Sequence, residues 1–383
     1  MHTLNKALSS SNSPDTLPAH LCEQARLQPR TVALRFKRLG IWHEKRWPDL
    51  LAEVAGAAAA LQTDGFGNGD VLALLGQPSP EAVVMLLAAQ WLGGVVAPLA
   101  LDAEPEALAS ALIGLRPCIA FGDDQEQVDR LLAAGFSGKR LIYADARGLH
   151  AYRQTVLASY GEWLAAAPDG SAYPHCVARD VALRYHVAGG WDDGPVCRIT
   201  HAEILDGARR LIAASGLNVG EEAFAGRRFA PAGVVRYLLA PWLLAGFTLN
   251  IAESPESRDP DRREIGPSLI LGSAETYARL RSRIQARLPA SRDGWRGRLV
   301  SAALHSRSGL LARILVRRPL AEVAGLGRVR HALVVGPAPD ADLTEFFARL
   351  GVSLRRWPDA ACLPQNRPPE HDLASLLNVW VAP

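Results

Sequence analysis

The sequence predicts an α/β protein made of two doubly wound subdomains packed together, and two observations lead there. Short apolar runs alternate with helical patterns along the first half, which indicates a parallel sheet covered on both faces. The chain has 383 residues, 49% of them hydrophobic and 21% charged. That is ample for a core and long for one compact unit. The expected divisions are a loose leader over residues 1–16, a first subdomain over 17–179, a second over 180–357, and an irregular tail over 358–383.

In order along the chain, Gly65, Gly67 and Gly69 form a tight turn ahead of the strand Asp70–Gly76. A glycine fingerprint for dinucleotides follows its strand and opens a helix, so this turn is not one. Pro80–Trp91 begins with proline and is apolar on every face, as in a buried helix. Val95–Leu99 reads as a strand, Glu104–Leu115 as a helix, Cys118–Phe121 as a strand, Asp124–Ala134 as a helix and Arg140–Tyr143 as a strand. The second half opens with a strand over Asp180–Val187 and a loop over Ala188–Arg198. A helix then starts at Thr200, with Glu203 as its capping-box partner. Tyr237–Leu244 with Thr248–Ile251, Thr276–Leu288, Val329–Val335, Ala341–Leu350 and Val352–Leu354 complete the pattern, and no internal repeat is evident.

Composition narrows the function. A net charge of +3 is too small to argue for nucleic acid, and no interleaved aromatic pattern or nucleic-acid motif is present. Five cysteines at irregular spacing do not make a disulfide framework. With no apolar run approaching the roughly 20 residues of a membrane span and a polar start unlike a signal peptide, a cytoplasmic protein is expected. Only Lys6, Lys37, Lys45 and Lys139 are lysines among 42 basic residues, so no ammonium group follows Lys139.

Several blocks carry a family resemblance. GNGDVLALLGQPSPEAVVMLLAAQWLGGVVAPL, WLLAGFTLNIAESPESRDPDRREIGPSLILGSAETYARL and PLAEVAGLGRVRHALVVG occur in this order. They resemble, with matching spacing, blocks of the AMP-forming acyl-CoA synthetase (adenylate-forming) family, and the second resembles its long-chain fatty acyl branch. The resemblance covers about Leu17 to Leu354. It implies the fold of that family's N-terminal domain, with the small C-terminal domain absent. It also implies an ATP site on a loop of the type Y-T-S-G-T-T-G-x-P-K-G, where glycines admit backbone donors, hydroxyls donate and lysine neutralises charge.

At that position stand Tyr185-His186-Val187-Ala188-Gly189-Gly190-Trp191-Asp192-Asp193-Gly194-Pro195-Val196-Cys197-Arg198-Ile199-Thr200-His201. The flanks Tyr185 and Thr200-His201 resemble the family. Between them there is no Ser, Thr or Lys, and Gly189, Gly190, Gly194 and Thr200 are what remains of a phosphate-binding loop. Pro195 removes a backbone donor, and Trp191 fills space that glycine leaves open. Asp192 and Asp193 bring charge of the wrong sign; a like-charge pair 4 Å apart costs roughly 4 kcal/mol at an effective dielectric of 20. Arg198 is a candidate substitute cation, although a guanidinium fork is not equivalent to an ammonium.

The other family motifs agree. The counterpart of Y-G-x-T-E is Pro358-Asp359-Ala360-Ala361-Cys362, and Arg228–Tyr237 replaces a block that carries histidine. The family's C-terminal continuation, with its catalytic lysine, is expected to be missing. Cys197 and His201 have the spacing of half a zinc site, but no second half is defined, so no metal ligand and no catalytic residue is assigned.

The function expected is that of a degenerate, truncated acyl-CoA synthetase-like pseudoenzyme. It would be unable to adenylate alone, need no cofactor, and keep a role in binding a fatty acyl ligand or a related synthetase subunit. The alternative is an active AMP-forming long-chain fatty acid–CoA ligase of fatty acid metabolism, using ATP and Mg2+ and completed by another polypeptide. The Arg-rich segment 276–330 is expected to make at most peripheral membrane contact. No Gly-x-Ser-x-Gly or H-E-x-x-H motif supports a hydrolase.

Overall fold

The computed structural model describes residues 15–168, 173–186, 196–225, 233–286, 317–335 and 338–357. Each of its two sheets has seven strands. The first contains β3 (Val71–Leu75), β4 (Val95–Pro98), β5 (Ile119–Gly122), β6 (Arg140–Tyr143), β7 (Leu157–Ser159), β8 (Val181–His186) and β9 (Val196–Thr200) in the order β7-β6-β5-β3-β4-β8-β9. The second contains β1 (Val32–Arg38), β2 (Ile41–Arg46), β10 (Glu222–Ala225), β11 (Thr248–Ile251), β12 (Leu269–Gly272), β13 (His331–Val335) and β14 (Leu354–Trp357) in the order β14-β13-β12-β10-β11-β1-β2. Both are doubly wound as expected. A central strand is followed by a neighbour on one side and then by the rest on the other.

The two orders are the same order. β3 to β7 correspond to β10 to β14, and each run of parallel strands is finished at one edge by an antiparallel hairpin. The sequence showed no repeat because what is repeated is topology, with different residues filling equivalent positions. The hairpins are exchanged: β1–β2, from the start of the chain, completes the second sheet, and β8–β9 completes the first. A boundary at 179/180 therefore does not separate the sheets. The expected leader also overruns by a helix cap, since Thr16 is buried and its hydroxyl accepts the Ala19 N–H at 3.3 Å.

Three cores stack these sheets into five layers. Between the sheets lie α1 (Leu17–Leu27), α2 (Trp47–Thr63), α3 (Pro80–Trp91), α7 (His201–Ser215) and α8 (Ala240–Ala245). Every residue of α3 is buried, as its uniformly apolar sequence requires. Trp47 of α2 stacks on Trp242 of α8 at 5.0 Å, and the Trp242 indole donates to the Ala33 carbonyl at 2.9 Å. These contacts fasten the N-terminal hairpin and its helix to the second sheet. The outer face of the first sheet packs on α4 (Pro105–Leu115) and α5 (Gln125–Ala133). That of the second packs on α10 (Ala274–Ala286), α11 (Arg318–Val323) and α12 (Ala341–Arg349). Two further helices, α6 (Tyr160–Ala165) and α9 (Arg258–Ile265), lie after β7 and β11. No described helix is long and apolar enough to cross a membrane.

Candidate functional site: the edge hairpin and its helix

The segment that resembles a phosphate loop lies in sequence between β8 and β9, which pair antiparallel. Sequence reading placed a loop from Ala188 to Arg198, but Val196–Thr200 is a strand antiparallel to β8. Gly189, Gly190 and Gly194, with Trp191, Asp192, Asp193 and Pro195, lie outside the described residues, as does 358–362. The described part of the site is β8, β9 and the start of α7.

Thr200 starts α7 as expected. Its backbone N–H donates to Glu203 Oε2 at 2.8 Å, its hydroxyl donates to the same oxygen at 2.9 Å, and that hydroxyl accepts the Glu203 N–H at 3.3 Å. The threonine expected to face a phosphate thus has its hydroxyl engaged in a complete capping box. The next residue, His201, is 1% exposed, and its Nδ1 accepts the Leu17 N–H at 3.3 Å across 184 residues of sequence. Burial pushes its pKa down to about 4, against a smaller opposing pull from Asp180. The imidazole is therefore neutral near pH 7, with its proton on Nε2, and it locks α7 to α1. Among the described residues no group of three or more His, Cys, Asp or Glu is placed to hold a metal ion.

Across the hairpin Arg184 pairs with Arg198 and Tyr185 with Cys197. Tyr185 is buried in the central core, Arg198 is exposed, and Arg184 donates to the Gly114 carbonyl at 2.9 Å. Burial, and then the charge of Arg198, depress the Arg184 guanidinium. Two arginines facing each other cost energy unless an anion lies between or beyond them. Among the described residues no ammonium group stands in this frame. Lys37 is held by Asp261 at 2.9 Å and Glu264 at 2.7 Å, Lys45 by Glu53, and Lys139 by the Gly65 carbonyl at 2.7 Å.

One pair was missed from sequence. Val235–Leu239 forms a π-helical turn after β10, a conformation often found at functional positions. It buries Arg236, whose guanidinium carbon lies 5.0 Å from the Tyr237 ring. Among the described residues the buried Tyr237 hydroxyl has no hydrogen-bond partner. The signal in the sequence is an Arg-Tyr pair inside an otherwise apolar run. No disulfide joins the four described cysteines. Burial pushes Cys22 and Cys176 up to about 11, so neither thiol is a ready nucleophile.

The sequence model of AMP-binding enzymes matches residues 21–166. No curated protein matches the chain by sequence. Solved structures do match by fold. The chain is similar to the A domain of carboxylic acid reductase from Segniliparus rugosus, determined with AMP and a co-purified carboxylic acid, at 16% identity and a TM-score of 0.71. The match covers 90% of this chain and 60% of that one. It is similar to an acyl-CoA synthetase from Brucella canis, at 18% identity and TM-score 0.68, with 92% and 59% covered. It is also similar to MatB from Rhodopseudomonas palustris, at 17% and 0.67, with 90% and 59% covered. Each of these three proteins is thus spanned over about three fifths of its length.

Proposed function

We propose that the chain is a member of the adenylate-forming, AMP-binding enzyme family, a synthetase-like scaffold that does not adenylate on its own and keeps a role in binding an acyl or carboxylic acid ligand. The observation behind this reading is the contrast within one hairpin. The strands, the Thr200 cap and the His201 lock are in place, while residues 187–195 between them hold no hydroxyl, no ammonium, two carboxylates and a proline. A triphosphate brought there meets repulsion where its charge needs donors. Arg236 and Tyr237 favour a retained acid-binding role, because a buried guanidinium beside an unsatisfied hydroxyl is chemistry suited to a carboxylate. The cytoplasmic setting expected from the cysteines belongs to the same proposal. Calorimetric titration of the whole chain with ATP and Mg2+ tests it: no saturable heat is expected, and a dissociation constant in the micromolar range overturns it.

A second reading is favoured by the exposed Arg198 beside the segment 187–195. In it the chain is one part of an AMP-forming fatty acid–CoA ligase, completed by another polypeptide and using ATP and Mg2+. Pyrophosphate release with palmitate, ATP and CoA, lost on Arg198→Ala, would support it.

A further inference from the structure

At the amino-terminal edge of the first sheet, where β5 and β6 begin, a cleft of about 420 Å³, open on one side, lies between the end of α4 and the end of α5. The segment 187–195 leaves β8 at the opposite edge, because β8 runs parallel to β4 and β4 to β3. The apolar walls are Leu112 and Ile113 of α4, Pro117 ahead of β5 and Phe136 ahead of β6. Ile113 is 74% exposed and Phe136 partly buried, so this lining faces water. Its polar side chains are Arg116 and Ser137. Apolar walls with a few polar groups are the usual make-up of a small-molecule site.

Arg116 stands where the backbone asks for glycine. It follows the last turn of α4 with φ of 48°, its N–H donating to the Leu112 carbonyl at 2.9 Å. By contrast α7, α8 and α9 end on the left-handed glycines Gly216, Gly246 and Gly266, and the chain leaving α5 turns at Gly135 with φ of 82°. A side chain in this region strains the backbone, and such strain collects at functional positions. Arg116 has no compensation inside the fold. Among the described residues its guanidinium has no ion pair or hydrogen bond, and neither has the Ser137 hydroxyl. The two helix ends bring partial negative charge, but their carbonyls are occupied. Gly114 accepts Arg184 at 2.9 Å, and Leu131 and Leu132 accept the Phe136 and Gly135 N–H groups at 3.0 Å each. Among the described residues no carboxylate lines the cleft. Asp70 and Asp64, whose charges reach the neighbouring Cys118, are engaged by the Gly67 N–H at 2.9 Å and by Arg140 at 2.8 Å.

We propose that this cleft binds a monocarboxylic acid with an apolar chain or ring, its carboxylate on the Arg116 fork with the Ser137 hydroxyl as a further donor, and its apolar body against Ile113, Pro117 and Phe136. A carboxylate is planar and takes two parallel bonds, which one guanidinium supplies; a phosphate dianion has more charge and more oxygens than one arginine meets. The site is separate from Tyr237, which is buried in the core between the sheets, and it stands whether or not segment 187–195 handles ATP.

Calorimetry on the whole chain with octanoate, octanol and acetate is the primary test. Octanoate is expected to bind at least about tenfold more tightly than either of the others, since octanol lacks the charge and acetate the apolar body. Arg116→Gln and Arg116→Gly are each expected to weaken octanoate by about tenfold or more. The glycine variant separates binding from structure: its urea midpoint should stay or rise, because glycine suits the left-handed turn, while binding is lost. Arg30→Gln, exposed and outside the cleft, leaves octanoate binding unchanged. Octanoate binding that survives both Arg116 variants places the ligand elsewhere and overturns the proposal. Equal affinity for octanoate and octanol, an effect of Arg30→Gln as large as that of Arg116→Gln, a lowered midpoint in Arg116→Gly, or no saturable heat with octanoate also overturns it.

Discussion

The two edge hairpins are the same construction with different closures. In both, the inner strand runs parallel to its sheet neighbour, and the pairing slips at one place, between Val32 and Leu34 and between Val181 and Leu183. In both, a first-turn carboxylate caps the following helix: the Arg46 N–H donates to Asp49 at 3.2 Å, as the Thr200 N–H does to Glu203. The first hairpin closes through Leu39 and Gly40, both left-handed with φ of 49° and 76°, the geometry of the tightest β-hairpin turns. The second has residues 187–195 between its strands. A two-residue turn is enough for this unit to fold, so the extra length at the second hairpin is surplus to architecture. Surplus loop length on a rigid frame is where function is placed, yet here its side chains lack the donors the family resemblance calls for.

That comparison can be broken in three places. The largest effect is expected at Trp242→Ala, which removes the stack on Trp47 and the bond to Ala33 that hold the first hairpin's helix. Urea unfolding should show a loss of about 3–5 kcal/mol, and a loss below about 1 kcal/mol would mean the hairpin is held by other contacts. The second effect is specific to the other hairpin and depends on pH. His201 has a folded pKa of about 4, below its ordinary 6.5, so the unfolded chain binds its proton first. The contribution is whole above about pH 6.5 and falls away as the pH drops toward 4. Unfolding midpoints at pH 7 and 4.5 should differ by on the order of 2–3 kcal/mol more in the native chain than in His201→Asn. The smallest effect is expected on replacing 187–195 by Asn-Gly. Shorter closure should leave stability unchanged or raise it by about 1 kcal/mol, and a marked loss would show that the long loop is structural after all.

What the sequence disclosed follows the range of the interactions involved. α3 was legible to the residue because a proline start and an all-apolar stretch are local signals. The Thr200–Glu203 cap was legible because its partners are three positions apart. β9 was not: the expected loop ran through Val196–Arg198, and only pairing with β8 makes VCRIT a strand. The exchange of hairpins was invisible because nothing near Leu34 announces that its partner is Leu249. At the site, the residue types between Tyr185 and Thr200 could be read directly. The work given to His201 and to Arg236 with Tyr237 depends on which distant elements surround them.

The pairing of Leu34 with Leu249 also orders events in time, since 249 − 34 = 215 residues separate them. At ribosomal speeds of about 5–20 residues per second, the first hairpin waits on the order of 10–40 seconds for the sheet it completes. The first sheet can assemble meanwhile, once β8 and β9 have emerged. An N-terminal fragment ending near Ser215 would therefore contain one finished sheet and one orphaned, edge-exposed hairpin, a species prone to pair with its own copies. One cut after Ser215 frees the first sheet only with that hairpin still attached, and no single cut isolates the second sheet, because its strands lie on both sides of the first sheet's in sequence.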